Sequence, residues 1–302
     1  MSAGADSSKA VFFALGANGA IAVAKYVAAY ITGSGSMLAE AVHSTADCGN
    51  QLLLLLGLKR SKRPPSHDYP LGFGKETYFW SFIVAIMLFS VGGLFSLYEG
   101  WHKLHETEPL SSPLIALGVL AFGVVAEGFS MWGCLREVDK VRGGQSLWQW
   151  FRRSRNAELV VIFGEDLAAL VGLTLAFVAV LAAWLTGDMM YDALGSMAIG
   201  VLLIVVAVMV GIEVKALLVG QGVEPQVRAA MVAFLEARPE VERVLSLLTL
   251  HMGADVMVAV KARLRHEGSL PPPVGERINQ VEAAFRARFP ETQWIFFEPD
   301  VR

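Results

Sequence analysis

Six apolar runs, each about as long as a membrane is thick, constrain this chain more than any other feature. A bilayer core of about 30 Å takes roughly 20 apolar residues when crossed as a helix. The runs are Val11–Thr32, Met37–Leu58, Tyr78–Gly100, Pro113–Leu135, Leu159–Thr186 and Met190–Leu218. Composition agrees, with 54% hydrophobic and only 18% charged residues, against about 25% charged in a soluble domain. Only Gly33–Ser36 separates the first two runs and only Thr186–Met189 the last two, so each pair is expected to form a tight antiparallel hairpin. The first run is too long and lacks a cleavage motif for a removable signal peptide. The net charge of −3 offers nothing to nucleic acid, and Cys48 and Cys134 fall in apolar runs and form no CxxC pair.

Loop charges set the orientation. Lys59, Arg60, Lys62, Arg63 and Lys75 lie between the second and third runs, and Arg136, Lys140, Arg142, Arg152, Arg153 and Arg155 between the fourth and fifth. The loop after the third run carries Lys103, and the two hairpins carry no basic residue. Basic short loops stay in the cytoplasm, so both termini are expected there. The segment with Trp148, Trp150 and Phe151 among these arginines reads as lying at the headgroups.

Beyond Gly222 the pattern changes. Glu224–Arg238 spaces Val227, Met231 and Leu235 as an amphipathic helix, and Val241–Met252 and Val256–Leu264 read as strands. In the second strand Val256, Val258 and Val260 alternate with Met257, Ala259 and Lys261. A helix over Val274–Phe289 and a strand over Gln293–Phe297 complete an α-β-β-α-β order. The expected fold is an all-α membrane domain of six helices over residues 1–220, followed by a cytosolic α+β domain over 221–302.

Ionisable residues inside a span are costly and call for a partner or a purpose. His43 and Asp47 are four apart, so a helix presents them on one face. An imidazole beside a carboxylate is half of a Zn²⁺-type site. The fifth run supplies adjacent carboxylates, Glu165 and Asp166. Successive helical residues point about 100° apart, so one can face the His43 site while the other turns to a neighbour. Asn18, Lys25, Asn50, Glu99, Glu127 and Asp192 are further polar residues in the spans, and Glu127 is placed to pair with Lys25.

The chain resembles the cation diffusion facilitator family of divalent-metal transporters. Residues 33–50 (GSGSMLAEAVHSTADCGN), 69–76 (YPLGFGKE) and 192–200 (DALGSMAIG) carry the likeness, with the span count and the terminal domain. The resemblance implies a transport site with two ligands from the second span and two from the fifth. The first pair falls on His43 and Asp47. In the fifth span the usual partner four residues before Asp166 is Ile162, which cannot ligate; Glu165 takes its place, as in a subgroup with a Glu-Asp pair. The family's loop metal site transfers poorly, since Phe73 stands where a histidine could and His67 and Asp68 read as a solvated pair. In the terminal domain His251, His266, Glu298 and Asp300 are the available ligands, and packing and dimerisation are the expected roles. That domain is expected to be ferredoxin- or metallochaperone-like.

The expected function is proton-coupled efflux of a divalent cation by alternating access, with no enzymatic activity and no cofactor. Histidine with carboxylates suits Zn²⁺, the cargo expected here; Co²⁺, Ni²⁺, Cd²⁺, Fe²⁺ and Mn²⁺ are the alternatives. Partners are then the metal ion, protons, membrane lipid and a second copy of the chain, and no nucleic acid. A multi-pass bacterial inner-membrane location is expected. A membrane metallohydrolase would need a motif such as HExxH, and none is present. A metal sensor would need no carboxylates in the fifth span.

Overall fold

The structure, a computed structural model, describes residues 7–32, 35–105, 112–265 and 273–300. Two compact units emerge: Met1–Lys59 with Thr77–Lys215, and Arg60–Glu76 with Ala216–Arg302.

The first unit is helical. Its elements are α1 (Ser7–Thr32), α2 (Gly35–Ser61), α3 (Glu76–Met87), a π-helical stretch (Leu88–Leu94), α4 (Phe95–Lys103), α5 (Pro113–Val141), α6 (Leu147–Arg153), α7 (Ala157–Thr186) and α8 (Met190–Val219). α3, the π stretch and α4 run on as one 28-residue helix, Glu76–Lys103. Among the described residues five helices are long and apolar enough to cross a membrane: Ser8–Ala28, Glu76–Lys103, Pro113–Val141, Ala157–Thr186 and Met190–Val219. The remaining expected span falls on α2, which is 27 residues long. Large apolar side chains on these helices lie bare, with Phe129 63% and Leu185 72% exposed. Such a surface suits lipid, where the backbone is satisfied within each helix. Trp101 and Trp184 are also exposed near helix ends, the depth that interfacial tryptophans occupy.

Local chemistry sets the helix ends. Asn156 caps α7, its Oδ1 accepting from Leu159 N at 2.9 Å. Gly187, at φ 73°, closes the same helix with a left-handed residue. The π turn has no counterpart in the apolar period of the sequence; at its end Phe95 N–H donates to Ser90 O, five residues back. A Cβ on Gly93 would stand 2.5 Å from Ile204 Cγ1, and one on Gly200 2.7 Å from Leu97 N. These glycines let α8 lie backbone against backbone with the π stretch and α4.

The short helix α6 packs its aromatic residues partly inward. A capping box between Ser146 and Gln149 starts it. Trp150 and Phe151 turn inward and pack against Phe163 of α7, at 5.6 and 6.1 Å between ring centroids. Trp148 faces outward.

The second unit holds α9 (Pro225–Glu236), β1 (Val241–Met252), β2 (Asp255–Leu264), α10 (Val274–Arg288) and β3 (Thr292–Asp300). This is the α-β-β-α-β order expected from the sequence. The sheet runs β1-β2-β3, with β1 and β2 antiparallel and β2 and β3 parallel. Val256, Val258 and Val260 point into the core, where Met231 and Leu235 of α9 meet Val281 and Phe285 of α10. The segment 60–76 belongs to this unit, and its Gly74 lies directly against Met252 and Gly253 in the β1–β2 turn.

Candidate functional site

A cavity of about 190 Å³ lies inside the helical unit. Asp47, Asn50 and Gln51 of α2, Glu127 of α5, and Glu165 and Asp166 of α7 line it, with Lys25 of α1 on its wall. α7 contributes from Glu165 to Ala176, its middle, and α8 from Ser196 to Leu203, in the half nearer the α7–α8 connection. Eight consecutive residues of α7, Ala157–Gly164, are buried, as are Leu54, Tyr78, Cys134 and Val138 on neighbouring helices.

Helical phase puts the acidic groups there. Glu165 and Asp166, adjacent in sequence, turn to different neighbours. Glu165 faces α2, accepting from Gln51 Nε2 at 2.8 Å and from Asn50 Nδ2 at 3.3 Å. Asp166 is 1% exposed and accepts from Ser130 Oγ of α5 at 2.9 Å. Asp47 is partly buried on the cavity wall, three and four residues before Asn50 and Gln51. Glu127 is buried in the same cavity. Lys25 Nζ donates to Ser44 Oγ at 2.9 Å. His43 lies within α2, one helical turn before Asp47, and its side chain is outside the described residues. Among the described residues no three His, Cys, Asp or Glu side chains form a cluster fit to hold a metal ion.

The cavity continues to Glu99 of α4 and Ser196 of α8. There Lys103 Nζ reaches Asp192 at 3.1 Å, Ser196 at 3.5 Å and Glu99 at 3.6 Å, tying α4 to α8 at the end of the cavity. Sequence reading singled out Glu99 and Asp192 but missed Gln51, Ser130 and Ser196. Gln51 had a readable signal, standing four residues after Asp47 on the same helix face.

Elsewhere, His67, Asp68, Glu298 and Asp300 are engaged or solvated. His67 Nδ1 and Asp68 lie 3.7 Å apart and wholly exposed. Glu298 and Asp300 both hold Lys261, at 3.0 and 3.2 Å. His266 lies outside the described residues.

Residues 11–219 match the cation efflux transmembrane domain. This chain belongs to the cation efflux family. It is 34% identical over 262 residues to the mitochondrial proton-coupled zinc antiporter SLC30A9 of Xenopus laevis, covering 86% of this chain and 47% of that protein. It is 31% identical over 231 residues to metal tolerance protein C4 of Arabidopsis thaliana, covering 76% and 50%. It is 26% identical over 277 residues to the cation-efflux pump FieF of Cronobacter sakazakii, covering 91% and 87%. The chain thus spans about half the length of the two eukaryotic relatives.

Proposed function

We propose that this cation efflux family member moves a divalent cation, Zn²⁺ first among them, across a membrane in exchange for protons. The observation that carries the reading is the cavity that Asp47, Glu127, Glu165 and Asp166 line from three helices, within apolar segments. Carboxylates held at that depth suit a cargo that brings positive charge with it. His43 joins them on spacing, and an imidazole adds the nitrogen ligand that favours Zn²⁺ over harder cations. The zinc and proton coupling in the name of the Xenopus laevis relative supports the same choice.

Binding and protonation compete at such a site, because ligands must shed their protons to hold the metal. Protons arriving from the far side displace the cation, and the proton gradient drives export. A cavity beside the packed stretch Ala157–Gly164 fits one end state of an alternating-access cycle. With the basic loops in the cytoplasm, that state faces outward. Loading from the cytoplasm then requires the packed stretch Ala157–Gly164 to part from its neighbours. Residues 1–220 carry transport in this scheme, and 221–302 regulate it and pair two copies.

Proteoliposomes enclosing a zinc-sensitive dye test the proposal. Zinc entry that rises with an imposed pH gradient, and falls at least tenfold in Asp47→Asn, is expected. Entry independent of both the gradient and Asp47 overturns it.

A further inference from the structure

Glu165 is held by two carboxamides from one stretch of α2. Gln51 Nε2 donates to its Oε2 and Asn50 Nδ2 to its Oε1. With their amino groups committed, both amides leave their oxygens over: Asn50 Oδ1 and Gln51 Oε1 are buried and accept no hydrogen bond. Both side chains are also more than nine-tenths buried. Buried polar atoms nearly always find a partner. Turning either amide over brings no relief, because its oxygen would then face a carboxylate oxygen. The unpartnered oxygens are therefore a consequence of the clamp.

Asn50 and Gln51 follow Asp47 by three and four residues, so they extend its face of α2 by one turn, and both line the cavity. Amide oxygens are good ligands for hard cations. We propose that Asn50 and Gln51 are specificity-determining residues of the cation site, fixing the Glu165 carboxylate and lending the arriving divalent ion two neutral oxygens. This inference rests on the reading of the cavity as a cation site. It places the choice of metal in the balance between the single imidazole of His43 and a larger set of oxygens.

The test measures Zn²⁺ and Mn²⁺ binding to the full-length protein in detergent by isothermal titration calorimetry. Gln51→Met keeps the side chain's length and removes both its donor and its oxygen. Orienting partners of metal ligands are typically worth about 10- to 100-fold in affinity. Mn²⁺, which prefers oxygen, loses affinity by about that factor, and Zn²⁺ loses less, so the Zn²⁺:Mn²⁺ preference rises. Should Gln51→Met fail to fold, Asn50→Leu gives the same readout. Equal loss for both metals, as a purely structural role would produce, overturns the proposal, and so does no loss for either. Asp47→Asn separates the two levels. Lost binding there with an unchanged Gln51→Met profile sinks this inference and leaves the cation site standing. A wild-type protein that binds neither metal sinks both.

Discussion

Gly74 is the point where the segment 60–76 meets the turn between β1 and β2, and it has no room for a side chain. A Cβ placed on Gly74 would stand 1.8 Å from Met252 O and 2.5 Å from Met252 C. A close C···O contact is about 3.3 Å, so Gly74→Ala demands a shift of about 1.5 Å. The obstacle is backbone, and Gly253 beside it is held at φ +78°, a conformation other residues rarely adopt. Overpacking of this kind costs about 1–3 kcal/mol, which raises the undocked fraction of the segment by about 5- to 150-fold. Limited trypsinolysis of the full-length protein in detergent reads that fraction, since cleavage follows the open population when closing is fast. Cutting after Lys62, exposed in the loop, is expected to speed up by that factor. Cutting after Arg142, between α5 and α6, stays at the wild-type rate. An unchanged rate at Lys62 would refute the docking of Gly74 on the turn.

Further outcomes follow from the helix contacts and the charges. Gly200→Ala would set a Cβ 2.7 Å from Leu97 N and 2.9 Å from Gly93 O; a loss of about 1–3 kcal/mol is expected in thermal unfolding, and an unchanged midpoint contradicts the close crossing. Ser130→Ala removes the hydroxyl that Asp166 accepts from, and zinc affinity is expected to fall about 10- to 100-fold; calorimetry giving wild-type affinity would remove Asp166 from the site. Arg152 Nη1 lies 2.8 Å from the buried Glu213 carboxylate. Arg152→Ala is expected to lower the unfolding midpoint, and Arg152→Ala with Glu213→Gln to recover part of it. No recovery means the charge on Glu213 is not the cause. Hydrogen bonds from Lys261 to Glu298 and Asp300 raise its pKa above the ordinary lysine value. The stability this adds is complete below the unfolded-state pKa of about 10.4 and is lost as pH rises through the higher folded-state value. Hydrogen exchange along β2 and β3 should therefore quicken in that alkaline window in the wild type more than in Lys261→Met, and equal pH dependence in the two would count against it.

How much of this was legible in the sequence varied with the kind of signal. The helices and first two strands of the terminal domain were readable to within two residues, because Val256, Val258 and Val260 alternate while Val227, Met231 and Leu235 keep helical spacing, and turn residues separate the segments; the last strand, expected over Gln293–Phe297, runs Thr292–Asp300. The apolar runs were readable too, with ends drifting by a few residues: Tyr78–Gly100 became Glu76–Lys103, since Glu76 and Lys103 tolerate helix termini near the membrane surface. The π stretch was not readable, because one extra residue per turn leaves no mark on a uniformly apolar run such as Leu88–Leu94. Nor was the docking of 60–76, which depends on Gly74 meeting Gly253 from a distant part of the chain. In the candidate site, intramembrane carboxylates stand out by their desolvation cost, so Asp47, Glu165 and Asp166 were legible. The neutral Gln51 and Ser130 carry no such flag. Helical phase alone could say that Glu165 and Asp166 point apart, but not that α2 receives the first and α5 the second.

The cavity between α2, α5 and α7 is where the proposed function places the transported ion. Anomalous scattering from a zinc-soaked crystal of the full-length protein measures this directly. A peak is expected in the cavity, about 2.0–2.3 Å from oxygens of Asp47 and of Glu165 or Asp166. Zinc found only at His67 and Asp68, or only in the terminal unit, would contradict it.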